Sequence, residues 1–136
     1  MSVETDFRAL LLAAVTSLVG SNAAGKAVYP ATYPQNAPAP AVRYAKITGA
    51  PGLHMQGSDG LNFDLIQVDA RAATAADVLA IRDAAVAALH AYSGTQGSTQ
   101  FQLIALRDDR GEKYETNGAQ QFFTLSMDFD VTWRVA

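Results

Sequence analysis

At 136 residues the chain has the length of one ordinary domain, enough for a real core but not for two. Hydrophobic residues at 49% and charged residues at 17% exclude wholesale disorder, and a net charge of -3 with scattered Lys and Arg argues against nucleic acid as the chief partner. The absence of cysteine excludes a disulfide framework and a thiolate metal site.

Val3, Phe7, Leu10, Leu11, Ala14, Val15 and Leu18 recur at helical spacing and predict a helix over residues 2–19. Ser2 suits the N-cap, Glu4 and Asp6 suit the positive end of the helix dipole, and Gly20 is a natural stop. The apolar run Ala9 to Val15 lacks the basic start of a secretory signal and is too short to span a bilayer, so it reads as the core face of this helix, with no membrane role. Gly20 to Lys26 matches the start of a phosphate-binding loop, but Ala27 stands where the magnesium-holding Ser or Thr belongs. The string also follows a helix instead of a strand, so no helix N-terminus faces a phosphate; a helix stop with a small loop is the better reading.

Ala27 to Tyr29 reads as a short strand. Pro30, Pro34, Pro38 and Pro40 then lack backbone donors and predict an extended arm or loop at about 30–40. Tyr29, Tyr33 and Tyr44 lie in or beside it. Tyrosine offers large contact area at low entropic cost, so these residues, with Pro34 and the loop histidine His54, are candidates for a subunit or partner interface; packing of the arm on its own domain is the alternative.

Ala41 to Thr48 predicts a strand, Gly49 to Gly60 a turn-rich loop, and Leu61 to Ala70 a central strand with apolar residues on both faces. Thr74 and Asp77 resemble a capping box, opening a second helix marked by Val78, Ile81, Ala85, Ala88, Leu89 and Tyr92 and running to about Ala91. Ser93 to Thr99 reads as a loop, Phe101 to Arg107 as a strand, and Asp108 to Gln120 as a polar connection with a turn at Asn117-Gly118. From Phe123 every second residue is large and apolar (Leu125, Met127, Phe129, Val131, Trp133), with Thr, Ser and Asp between. That period of two predicts a final strand with one dry and one wet face, about twice the usual strand length. The order α-β-β-β-α-β-β implies a single α+β domain over 1–136, with a mostly antiparallel sheet of four to five strands and two helices packed on one face.

Little chemistry accompanies this fold. His54 and His90 are the only candidates for proton transfer near neutral pH, and no nucleophile or third group is placed to join them. Asp128 and Asp130 share a strand face about 7 Å apart, and with Asp64 they could hold a metal for a small hydrolase. No histidine or glycine-turn calcium loop accompanies them, which favours a solvated acidic face. No catalytic, cofactor-binding or metal residue is therefore assigned.

Several blocks together resemble the tail-completion or tail-terminator (head-tail joining) proteins of long-tailed bacteriophages. They are the opening Met1 to Leu11, Val28-Tyr29-Pro30 with the approach to Ala41-Val42-Arg43-Tyr44, Asp64 to Arg71 leading into Ala75 to Arg82, and the closing Met127 to Trp133. The likeness covers nearly the whole chain, and the polar stretch from Arg107 to Gln120 departs from it. It implies a non-enzymatic virion protein of the head-proximal neck, assembled in the host cytoplasm, without cofactor. Such a protein forms a ring of its own copies, commonly hexameric, that terminates the tail tube and meets both the tube protein and the head connector. Genomic DNA would pass through without specific binding. In that setting Asp64, Asp69, Asp128 and Asp130 are candidates for a channel-facing acidic surface, because carboxylates repel passing DNA. A head-side connector or tail-tube component is the nearest alternative, and the metal-dependent hydrolase using Asp128 and Asp130 is the alternative from another class.

Overall fold

The computed structural model describes residues 3–19, 28–30, 40–54, 57–117 and 120–136. Its elements, in chain order, are α1 (Val3–Val19), β1 (Val28–Pro30), β2 (Ala41–His54), β3 (Gly57–Ala72), α2 (Ala75–Leu89), β4 (Tyr92–Gln96), β5 (Thr99–Asn117) and β6 (Gln120–Val135). The six strands form one sheet in the order β1-β2-β3-β6-β5-β4. Only β1 against β2 is parallel; every other neighbouring pair is antiparallel.

The alternation in β6 divides the sheet as its sequence requires. Leu125, Met127, Phe129 and Val131 are buried, and β6 lies between β3 and β5, so its dry face is the centre of the core. Register carries the same side onto β3, where Ile66 stands opposite Phe129 and Val68 opposite Met127. Both helices cover this side. Val3, Phe7, Leu11 and Val15 of α1 and Val78, Ile81, Ala85 and Leu89 of α2 recur every three or four residues and close the cluster. Phe7 meets Phe129 with ring centroids 6.2 Å apart in a tilted pair. Burying side chains of this size contributes about 1.5–3 kcal/mol each.

Local signals set the helix ends. Thr74 caps α2 by accepting from the Asp77 backbone N–H at 3.1 Å. At the other end His90 and Ala91 leave the helix, Ala91 with a φ of 67°. The Leu106 N–H donates to His90 Nδ1 at 2.9 Å, and the Ala91 N–H to the Ile104 carbonyl at 2.7 Å. His90 thus works as a structural acceptor that ties the helix end to the side of β5.

The sheet is larger than the sequence implies: six strands, not four to five, in the order α-β-β-β-α-β-β-β. Three stretches expected to be loops are paired. Residues 49–54 continue β2 and residues 57–60 begin β3, so that Pro51 faces Asn62 and His54 faces Gly57, with a bulge beside the proline. Residues 93–96 belong to β4, a short edge strand whose neutral sequence shows no apolar alternation. Residues 108–117 extend β5 along β6 as far as Asn117 opposite Gln120, bracketing the expected turn. In all three the strand runs past the helix-covered core or along an edge, where nothing demands a hydrophobic alternation. The proline arm at 31–39, with Tyr33 and Pro34, and the glycine loop at 20–27 lie outside the described residues.

The turn between β4 and β5 is locked to α1 through a buried carboxylate. Asp6 is 1% exposed and accepts from Thr99 Oγ1 at 2.5 Å and Ser98 Oγ at 3.3 Å. Gly97 in that turn has a φ of +60°, and a Cβ there would run into the Asp6 carboxylate, whereas Gly111, with a φ of +69°, has open space around it. Gly97→Ala is therefore expected to lower unfolding stability by roughly 1–3 kcal/mol from backbone strain plus the collision. Gly111→Ala should cost less; equal losses in urea melts of the two variants would remove the collision from the account.

Candidate assembly surface

With both helices on one side, the opposite face of the sheet is uncovered by any described element and carries the wet residues of β2, β3, β5 and β6. Register aligns Arg43, Asp69 and Ser126 in one cross-strand row, Gln67, Asp128 and Asp108 in the next, and Leu65, Asp130 and Ala105 beyond it. The last row of this face sets Phe63 and Leu103 on either side of Thr132.

Asp69 is the best-held carboxylate here. It accepts from Arg43 Nε at 2.7 Å, Gln67 Nε2 at 2.9 Å and Ser126 Oγ at 2.6 Å. Burial alone would push its carboxyl up, but the hydrogen bonds from Ser126, Gln67 and Arg43 and the Arg43 charge outweigh it and hold the group below the usual aspartate range. Asp128 is gripped by Arg110 through both oxygens, at 2.7 and 3.2 Å, and Arg110 also reaches Asp108 at 3.3 Å. The hydrogen bond to Asp128, together with the nearby carboxylate charges, raises Arg110 above its ordinary value. Asp130 faces Arg107 at 3.7 Å with both side chains more than half exposed, a loose surface pair.

The four acidic candidates therefore do not form one cluster. Asp69, Asp128 and Asp130 share the uncovered face. Asp64 points to the other side, is 6% exposed and accepts from Trp133 Nε1 at 2.9 Å, so it is a core carboxylate and shares no surface with the other three. Its position also explains Gly49 opposite it, where a Cβ would strike the Asp64 carboxylate. Among the described residues no group of three or more His, Asp or Glu side chains is placed to hold a metal ion. Asp128 and Asp130, the pair proposed for hydrolysis, instead meet arginines.

The interface candidates also separate. Tyr44 is 7% exposed within the core, and burial raises its phenol above the ordinary range against the opposing Arg8 charge. Tyr29 is partly buried against the same core. The backbone of His54 lies at the β2–β3 hairpin tip; its side chain, like Tyr33 and Pro34, falls outside the described residues. The sequence reading did not single out Arg43, Arg107 and Arg110 or the half-exposed Phe63 and Leu103. Only cross-strand register reveals them, since each stands well apart in sequence from its partner. The face has an open depression of about 190 Å3 lined by Arg43, Ala45, Gln67 and Asp69.

No protein-family model matches the chain, and no curated protein matches it. Its fold is similar to that of a chain in the virion of a native gene transfer agent particle, with a TM-score of 0.67 at 14% identity over 98% of each chain. At that identity the likeness is one of fold, and it runs the full length of both chains.

Asp69→Asn removes a carboxylate on which three donors converge, and is expected to cost roughly 1–3 kcal/mol at neutral pH. Because the folded-state pKa lies below the unfolded one, the charged form's contribution is complete above about pH 4 and is lost as pH falls through the folded value. The stability gap between wild type and variant should thus stay constant from pH 7 to 5 and narrow below 4. A gap that stays the same at pH 3 would sever the link to the carboxylate.

Proposed function

We propose that the chain is a structural virion protein of a phage or phage-like particle. In this reading it forms a ring, hexameric in the family it resembles, that terminates the tail tube and joins it to the head connector. The observation that carries the reading is the end-to-end likeness of fold to a gene transfer agent virion chain. Two features fit it. Asp69, Asp108, Asp128 and Asp130 of the uncovered face meet Arg43, Arg107 and Arg110, and among the described residues no acid, base and nucleophile stand together there. Paired backbone also projects at both ends of the sheet, as the β2–β3 hairpin beyond Asn62 and the β5–β6 hairpin beyond Phe123. A subunit seated between a tube and a connector needs contact elements at opposite ends.

The channel side of this proposal falls on the uncovered face, with Asp69, Asp128 and Asp130 toward the lumen and Asp64 excluded by burial. Four carboxylates there (Asp69, Asp108, Asp128, Asp130) stand among five guanidiniums, Arg43, Arg107 and Arg110 in ion pairs and Arg71 and Arg134 on the same side by strand alternation, so 5 - 4 leaves a local charge of about +1. Such a wall neither attracts nor strongly repels a polyanion, which suits DNA that must pass without sticking. A structure of the assembled ring with these residues on its outer wall would dispose of the channel assignment.

Purified protein mixed with isolated tail tubes tests the function directly. Under the proposal, electron microscopy shows a cap at one end of each tube and capped tubes stop growing when tube protein is added. Continued growth with no cap, and binding to connector complexes instead, would move the protein to the head side. Incorporation along the tube would make it a tube component.

A further inference from the structure

The two outermost strands are short, three residues in β1 and five in β4, and they sit at opposite ends of opposite edges. Among the described residues β1 covers β2 at Val42 to Tyr44, in the rows that β6 marks with Leu125 to Met127. β4 covers β5 only from Ile104 to Thr99, in the rows of Val131 to Val135. Among the described residues no row is covered at both edges. The rows between, at Asp128 to Asp130, are met on the β5 edge by the α2 end, where the Leu106 N–H already donates to His90.

We propose that successive copies join edge to edge by a lap joint, in which β4 of one copy and β1 of the next share a single strand column between β5 of the first and β2 of the second. The joint deepens the ring reading above and rests on it for its closure. At equal height β4 lies against Gly49 to Pro51 of the next copy, and that copy's β1 lies against Asp109 to Glu112 of the first. Strand directions make the first contact parallel and the second antiparallel, both ordinary sheet pairings. β4 reads Tyr92-Ser93-Gly94-Thr95-Gln96, with no charge and no proline to blunt its open side.

The competing contact is direct pairing of β5 with β2. It would stagger each copy by about half a strand and produce an open, growing assembly. The bulges of β5 between Leu106 and Asp108 and between Asp109 and Glu112, and the bulge after Lys46 and Pro51 of β2, weaken either contact and do not choose between them; what separates the two is the stagger. The unstaggered joint is heterologous, each copy using a different edge toward each neighbour, and such a joint closes on itself when the rotation per copy divides a full turn.

The chain has no cysteine, so disulfide trapping needs no background changes. Ser93 and Ala50 are exposed, and register puts them in the same row of the shared column, within disulfide range. Full-length protein carrying both Ala50→Cys and Ser93→Cys should, on oxidation, give a reducible ladder of dimers and larger species. Each single variant should stay monomeric on the same gel, and a mixture of the two singles should stop at dimer. No ladder from the double variant, or dimer from Ser93→Cys alone, overturns the joint. Mass and microscopy of the unmodified protein separate the two proposals: rings without a ladder refute only the joint, and a ladder without rings refutes only the ring.

Discussion

A strand bonded along both edges and covered by helices on one side has to divide its side chains strictly by face, and β6 does so from Phe123 to Trp133. Its Met127 and Phe129 stand opposite Val68 and Ile66 of β3, its Phe129 and Val131 opposite Leu106 and Ile104 of β5, and Phe7 and Leu11 from α1 and Ile81 and Leu89 from α2 join the same cluster. A one-residue slip of β6 would bring Asp128 and Asp130 under the helices and expose Phe129, at a cost of several buried side chains and an unpaired charge. That penalty fixes the register of β3 and β5 as well. Each further feature of the molecule, from the arginine pairs on the open face to the projecting hairpins, is placed by that register.

The open face gains little stability from its ion pairs. Arg107 and Asp130 are both more than half exposed, and Arg110 is also well exposed, so each such pair is worth at most about 1 kcal/mol. Asp69 differs because it is mostly buried and three donors converge on it, so it pins β2, β3 and β6 together at one row. The main effect of the outer pairs is on charge. Read from sequence, the alternating aspartates suggest a negative wall; with their arginines in place the wall is close to neutral. Arg110 in particular is a poor phosphate ligand, because a phosphate would have to displace its bidentate partner Asp128.

How much was legible in the sequence depended on whether a pattern was local. The helix of Phe7, Leu11 and Val15, the capped helix after Thr74 and the β6 alternation all follow from spacing within a few residues, and they stand as expected. The pairings of residues 49–60 and 108–117 were not legible, since Pro51 and Gly111 are turn formers by composition and are tolerated only because those strands are edges with bulges. β4 was missed because five neutral residues carry no periodic signal. At the candidate surface the aspartates of β6 were visible and their partners were not: Arg110 lies 18 residues from Asp128, and Arg43 lies 26 from Asp69. Asp64 looked like its neighbours in sequence, yet the period of two places it opposite Val131 on the buried side, where Trp133 engages it.

The architecture also keeps two kinds of contact apart. Strand ends and hairpins lie along one direction of the sheet, and the half-covered edges lie across it. A subunit that must touch unlike neighbours above and below while touching its own copies on either side needs these directions to be independent, or a change at one would disturb the other. Here the lateral edges are built from β1, β2, β4 and β5, while the projecting ends belong to the β2–β3 and β5–β6 turns. β6 lies at an edge nowhere along its pairing with β3 and β5, so the core can stay fixed while either kind of contact forms. In the ring reading, that separation lets the lateral joint close without exposing a new strand edge along the tube axis, and growth then stops for a geometric reason.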